Sequence, residues 1–235
     1  MLKNSFKKLC MVLLCSILVL SNTEKTSAFS DESLTVSGNM AVPKVDYNSV
    51  IRKDSETTTY GVLNAEEIAK AYGITDYESI TVTLFNRHED YKPLNTPLFF
   101  DSIYVDNVSG PRQACGGTKI AENSSTNFAK KTVTKTVTIT GTGSNTFSTN
   151  LGASFSIDAN TISAGVGFNV TSSISLSDST SAKLKYLQTL TVIGYPAYEV
   201  YEYDIMLKKF WSGPEKIGTG LAYRCTGFCT ITRVR

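Results

Sequence analysis

The chain has 235 residues and a formal charge of +2, with 23 Lys and Arg against 21 Asp and Glu and a single His. Residues 1–28 carry four Lys and one Glu, so a chain that begins after them holds 19 basic against 20 acidic residues. That near-neutral balance gives no electrostatic case for a nucleic-acid partner, and about 207 residues suffice for one sizeable domain or two small ones.

The first 28 residues read as a secretory signal. Lys3, Lys7 and Lys8 precede the apolar run Leu9–Leu20, which is short of the roughly 20 residues of a spanning helix. Thr26-Ser27-Ala28 offers small residues for cleavage before Phe29, so a secreted, extracellular protein is expected. Residues 29–60 are polar and irregular and read as an extended arm or a pro-segment. Asn64-Ala65-Glu66-Glu67 has the spacing of a helix N-cap with Glu at N3, and Gly73 can end that short helix. Residues 61–122 read as a small α+β head and 123–235 as an elongated β domain.

Ser79–Asn86 alternates with β-branched residues and reads as a strand, as does Leu98–Val105 after the polar loop Arg87–Pro97. Asp106–Gly117 is rich in turn signals, notably Gly110-Pro111. Thr132–Thr140 then alternates Thr with Val133, Lys135, Val137 and Ile139, on a strand path with bends at Gly141 and Gly143. Leu187–Ile193, Tyr198–Leu207 and Leu221–Val234 read as further strands, with Lys208–Thr219 as a loop. The expected fold is mainly β: an elongated antiparallel β-sheet or β-sandwich with one short helix near the N-terminus.

Between Thr136 and Ser177 the only charged residue is Asp158. Phe147, Leu151, Ala153, Phe155 and Ile157 share one face of a first leg, with Ser148, Asn150, Gly152, Ser154 and Ser156 on the other. After Asp158-Ala159-Asn160-Thr161 the apolar residues Ile162, Ala164, Val166, Phe168 and Val170 alternate with Ser163, Gly165, Gly167 and Asn169. A period of two predicts two strands joined as a β-hairpin. Each leg has the 9–11 residues of a tilted transmembrane strand. The apolar face could meet lipid and the uncharged polar face a lumen; equally, the apolar face could pack on a second sheet. One hairpin per chain leaves open edges, which lipid forbids, so a membrane role requires several copies.

Enzyme signatures are missing: there is no Gly-x-Ser-x-Gly, no His-Glu-x-x-His and no phosphate-binding loop. His88 lies in a polar stretch, and Glu202 and Asp204 share a strand face as a minimal carboxylate pair. Tyr195, Tyr198, Tyr201, Tyr203, Phe210 and Trp211 suit sugar stacking, a water–lipid interface, or plain packing. No enzyme activity, no cofactor and no metal site is expected. Cys115, Cys225 and Cys229 are the disulfide candidates. Cys115 could join either of the other two, Cys225–Cys229 would close a tiny turn, and one thiol stays over.

The Thr-alternating strand Thr132–Thr140, the uncharged stretch Thr146–Ser177 and the return Pro196-Ala197-Tyr198-Glu199-Val200-Tyr201 resemble the aerolysin-like family of β-pore-forming toxins, its epsilon-toxin/mosquitocidal branch above all. The resemblance spans about Asn123 to Leu207. It implies a secreted monomer that meets a surface receptor on a target cell membrane, forms a homo-oligomer there, and inserts Phe147–Val170 with its tip at Asp158–Thr161. The rival reading is a secreted, non-enzymatic β-sandwich: an adhesin, a structural surface protein or a bacteriocin-like protein.

Overall fold

The computed structural model describes residues 40–86 and 102–235. The signal segment, His88 and the loop Arg87–Pro97 lie outside the described residues. The chain is mainly β and antiparallel, as expected. Among the described residues ten strands run β1 (Val45–Lys53), β2 (Thr57–Val62), β3 (Ser79–Phe85), β4 (Ser102–Cys115), β5 (Ala121–Thr126), β6 (Val133–Ser144), β7 (Thr146–Leu151), β8 (Ser173–Leu184), β9 (Thr189–Lys208) and β10 (Glu215–Val234). Two helices are described rather than one: α1 (Ala65–Ala71) and α2 (Ala159–Val166).

β9 and β10 pair antiparallel along almost their whole length, from Glu215 opposite Leu207 to Val234 opposite Leu190. The free edge of β10 is shared by β3 at one end and β7 at the other. The free edge of β9 is shared by β5 and β4. Pro196 lies between the last β5 pairing, at Gly194, and the first β4 pairing, at Ala197. Its carbonyl accepts from the Gly116 amide, so the missing N–H faces the gap between two outer strands and breaks no ladder. The two strands expected over Leu187–Ile193 and Tyr198–Leu207 are therefore one.

Three sequence-based expectations change here. Residues 45–60, read as part of an arm, form with Gly61 and Val62 a β1–β2 hairpin that extends the sheet beyond β3. The main sheet takes strands from both sides of residue 122, so head and β domain share one sheet. Asp106–Gly117, read as turns, lies mostly within the edge strand β4. Its register shifts on either side of Ser109, around Asn107 (φ 50), Gly110 (φ 122) and a cis Gly110–Pro111 bond. An edge strand tolerates such bulges and a proline because its outer hydrogen bonds face no partner.

Alternation along β9 divides the core. Leu190, Val192, Tyr198 and Val200 face Val137, Ile139, Leu176 and Leu184 of the two-stranded ribbon β6–β8. Ile193, Tyr195 and Ala197 pack with Ile68 and Ala69 of α1. Tyr203 and Ile205 pack with Ile162 of α2. A strand buried on both faces is continuously apolar, which is why β9 loses its period of two at its centre.

α1 ends as expected at Gly73 (φ 66). At its start Asn64 makes no side-chain cap to the helix backbone. Its amide instead donates to Val42 O and Glu67 Oε2, and its Oδ1 accepts from the Lys44 amide, so the residue ties the β1 approach to the helix.

The ribbon is pinned to the sheet by a buried charge. Asp178 of β8, 4% exposed, accepts from Arg52 on β1, Thr83 on β3 and Thr230 on β10. Thr83 also bonds Thr59 at 2.9 Å, so a polar seam crosses four strands. Asp178→Ala leaves two buried hydroxyls short of an acceptor and should cost about 2 kcal/mol in denaturant unfolding. The half-exposed Arg52 can turn to water, which limits the loss.

Cys115 and Cys229 form the disulfide, across 114 residues, and Cys225 is free and buried under the ribbon. Burial pushes the Cys225 thiol up to about 11. The folded protein lacking residues 1–28 should therefore leave a thiol reagent unreacted at pH 8, and release one equivalent on unfolding without reductant. A fast-reacting folded thiol would contradict this placement.

Candidate functional site

The stretch with the period-two pattern is not a β-hairpin in this structure. Its first leg forms β7 only as far as Leu151 and pairs with β10, from Thr146 opposite Tyr223 to Leu151 opposite Gly218. Its second leg, Ile162–Val170, begins within α2. The signal read as a hairpin turn is a helix cap: Asp158 accepts from the Thr161 amide at 2.9 Å and the Thr161 hydroxyl at 3.0 Å, and Gly167 (φ 81) closes the helix in the left-handed region. Burial would raise the Asp158 carboxyl, and the bonds from Thr161 and Asn160 outweigh it and hold it below its ordinary value. Ile162 and Val166, four residues apart, share a helical face as well as a strand face, so the same residues satisfy both periods.

The apolar set of the two legs splits by burial. Ile162, Phe168 and Val170 are buried against Tyr203, Ile205 and Ala222, with Phe147, Leu151, Ile157 and Val166 half-buried around them. Ala153, Phe155 and Ala164 are exposed. Of the polar set, Asn150, Ser154, Ser156, Gly165, Gly167 and Asn169 are exposed, and Ser148 is half-buried. Ser163 departs: it is buried, donates to Ala159 O at 2.7 Å and accepts from the Val170 amide at 3.1 Å. Gly165 lets α2 lie on β4, since a Cβ there would stand 2.3 Å from Val105 Cβ.

Both ends of this stretch meet at Asn145, between β6 and β7. Its amide NH2 donates to Asn169 O at 2.8 Å and Ser172 Oγ at 2.9 Å, its backbone N–H donates to Ser172 O at 2.7 Å, and its Oδ1 accepts from the Cys225 amide at 2.7 Å. Sequence reasoning passed over this residue, because an Asn among Ser, Thr and Gly carries no periodic signal.

Beside the stretch, β6 and β8 form a ribbon with one face turned to solvent. Thr134, Thr136, Thr138, Thr140, Thr142 and Ser144 lie opposite Lys183, Ser181, Ser179, Ser177, Ser175 and Ser173. Thr136–Ser181 and Thr138–Ser179 are hydroxyl pairs at 2.8 Å. The face is polar and, apart from Lys183, uncharged.

The carboxylate pair lines a polar cavity of about 510 Å³ with Asn107, Ser109, Asn150 and Lys216. Glu202 pairs with Arg112 at 2.7 Å and Asp204 with Lys216 at 2.6 Å. The Lys216 ammonium, with Asn107, holds the Asp204 carboxyl below its ordinary range, opposite to what a general acid requires. Of the aromatic group, Tyr195, Tyr198 and Tyr203 are core residues, Tyr201 is half-buried, and Phe210 and Trp211 stand in solvent. Among the described residues no cluster of His, Cys, Asp and Glu could hold a metal ion, and no helix is long and apolar enough to cross a membrane.

No protein-family profile matches the chain, and no curated protein matches it in sequence. Among solved structures it is similar to the lamprey immune protein (TM-score 0.30, 9% identity, covering 77% of this chain and 72% of that one). A protein from Bacteroides vulgatus assigned as a pore-forming toxin gives TM-score 0.27 and 11% identity over 78% and 74% of the two chains. Parasporin-2, a Bacillus thuringiensis toxin that recognises cancer cells, gives 0.22 and 18% over 72% and 74%.

Asn145→Ala removes the three side-chain bonds that help gather both ends of the stretch and keeps the backbone bond to Ser172. Limited proteolysis should then cut within residues 146–172 faster, roughly tenfold for a loss of about 1.4 kcal/mol in local opening, while the β9–β10 core resists as before. Equal cutting of both regions would mean that Asn145 supports the whole fold.

Proposed function

We propose that this protein is a secreted, non-enzymatic pore former that assembles into oligomers on a target membrane and inserts residues 145–172 as a β-hairpin. One observation carries the reading. The ribbon ends at Ser144 opposite Ser173, with no register shift along its length. Continued at that register, the pairing would set Phe147 opposite Val170, Leu151 opposite Val166, Ala153 opposite Ala164 and Phe155 opposite Ile162. These four pairs are apolar on both sides, and the pair between the first two sets Thr149 opposite Phe168. On the other face Ser148 meets Asn169, Asn150 meets Gly167 and Ser154 meets Ser163, all uncharged.

A stretch folded into a short strand and a helix has no need of such agreement. A one-residue slip would put the apolar residues of the two legs on opposite faces. The stretch thus fits two structures: the compact one, in which its apolar residues cover the sheet beside Tyr203, and an extended one that prolongs β6 and β8. The extended form has an apolar face long enough for the hydrocarbon layer and a polar face that continues the Thr/Ser ladder. Alone it would present open edges to lipid, so copies must close a barrel. The receptor that would gather these copies is a cell-surface molecule of unknown chemistry.

The test is dye release from cells and liposomes by the mature protein, read beside two variants. Phe155 is 37% exposed, so Phe155→Asp should fold normally yet lose release, because a charge on the lipid face is destabilising, is repeated in every copy, and must cross the hydrocarbon layer with the hairpin tip. Ser148→Cys with Leu221→Cys, in a Cys225→Ser background, joins directly opposed residues of β7 and β10. The oxidised form should stay silent and regain release on reduction. Release that persists in the cross-linked protein would sink the hairpin mechanism. A folded protein that lyses nothing and stays monomeric would favour the adhesin or structural reading.

A further inference from the structure

We propose that the turn joining β9 to β10 is a lipid-docking tip, with Phe210 and Trp211 entering the interfacial layer of a bilayer and Lys208 reaching its anionic headgroups. Trp211 is the only Trp in the chain and is 92% exposed, more than any other large apolar side chain among the described residues. Phe210 beside it is 63% exposed, and the two rings meet edge to face at 4.6 Å. Two adjacent aromatics held in water forgo the burial that such side chains normally reach. A partner that takes up both at once would recover it.

The turn spans Lys209 to Pro214. β9 ends at Lys208 and β10 starts at Glu215, and an ion pair between Lys209 and Glu215 closes the turn. From Asp204 to Lys216 there are three lysines against one Asp and one Glu. Glu215 is paired by Lys209, and Asp204 by Lys216, so Lys208 is the excess charge. Aromatic rings flanked by lysines suit the lipid interface: the rings sit at headgroup depth and the long cationic stems reach the phosphates. A glycan fits less well, since among residues 210–214 only Ser212 carries a side-chain hydroxyl.

The tip also stands at the useful end of the sheet. β7 runs toward it, with Leu151 opposite Gly218, and the exposed residues Gly152–Ser156 follow directly. Docking would bring the stretch that is proposed to insert close to the bilayer. That consequence rests on the pore reading, whereas the docking itself does not.

Because Trp211 is the sole indole, its fluorescence reports the tip without a label. The mature full chain is titrated with vesicles of phosphatidylcholine and phosphatidylserine, plain and with brominated acyl chains. The expected result is a blue-shifted emission that brominated lipid quenches, shared by the oxidised Ser148→Cys/Leu221→Cys protein, which docks without leakage. Phe210→Ser with Trp211→Ser, followed by vesicle flotation, should partition about tenfold more weakly. Unchanged emission, or unchanged flotation of the double variant, overturns the proposal. So does a shift produced by soluble oligosaccharides, or by protein concentration alone without vesicles, which would assign the tip to a glycan or to a second copy. Docking without leakage from any membrane would leave the tip standing and remove the pore.

Discussion

Every strand of the main sheet is bonded to β9, to β10, or to a strand that reaches them through β3. The pairing of these two twenty-residue strands is thus the scaffold on which the remaining elements are placed. Neither edge is occupied by one continuous neighbour. Four short or bulged strands divide the edges among them, so a local element can leave without disturbing the pairing between β9 and β10. β7 is such an element: six residues, paired among the described strands with β10 alone. The ribbon β6–β8 is different, because its Asp178 is bonded into the polar seam across β1, β3 and β10.

The mainly antiparallel β class and the strands β3, β6, β9 and β10 were legible from alternation, whereas β5 and most of β8 were not. Helix α1 was legible from its flanks, although Asn64 works through loop contacts rather than through the helix backbone. What sequence reading lost was the edge. Gly110 and Pro111 look like a turn in isolation, and only the place of β4 at the border of the sheet turns them into a bulge. The β1–β2 hairpin was missed because residues 45–60 hold few apolar residues in register. Its buried Thr57, Thr58 and Thr59 are met by Asp54, Asn86 and Thr83 rather than by an oily core.

The candidate site was read half correctly, for a physical reason. Alternation over Phe147–Val170 is real, but period-two spacing states which residues can share a face if the chain is extended. It does not state that the chain is extended. Asp158 and Thr161 serve a helix N-terminus as well as a tight turn, and Ile162 and Val166 share a helical face as readily as a strand face. The competing signal was therefore present in the same few letters. Tertiary burial beside Tyr203 and Ile205 selects the helix. Asn145 was invisible, since its importance lies wholly in bringing distant backbone groups together.

The Cys115–Cys229 bridge encloses β5 to β9, most of β10, the ribbon and the whole of residues 145–172 within one covalent ring. A ring of this size trims the unfolded ensemble by about 4–5 kcal/mol in the chain-entropy view. It also governs what a single cut does. A peptide bond broken anywhere between Gly116 and Phe228 opens the ring without detaching either piece. The nicked molecule keeps its full mass until a reductant separates it into two. In an oxidising extracellular medium, proteolytic scission of the enclosed segment would thus relieve a topological tether while losing no part of the molecule.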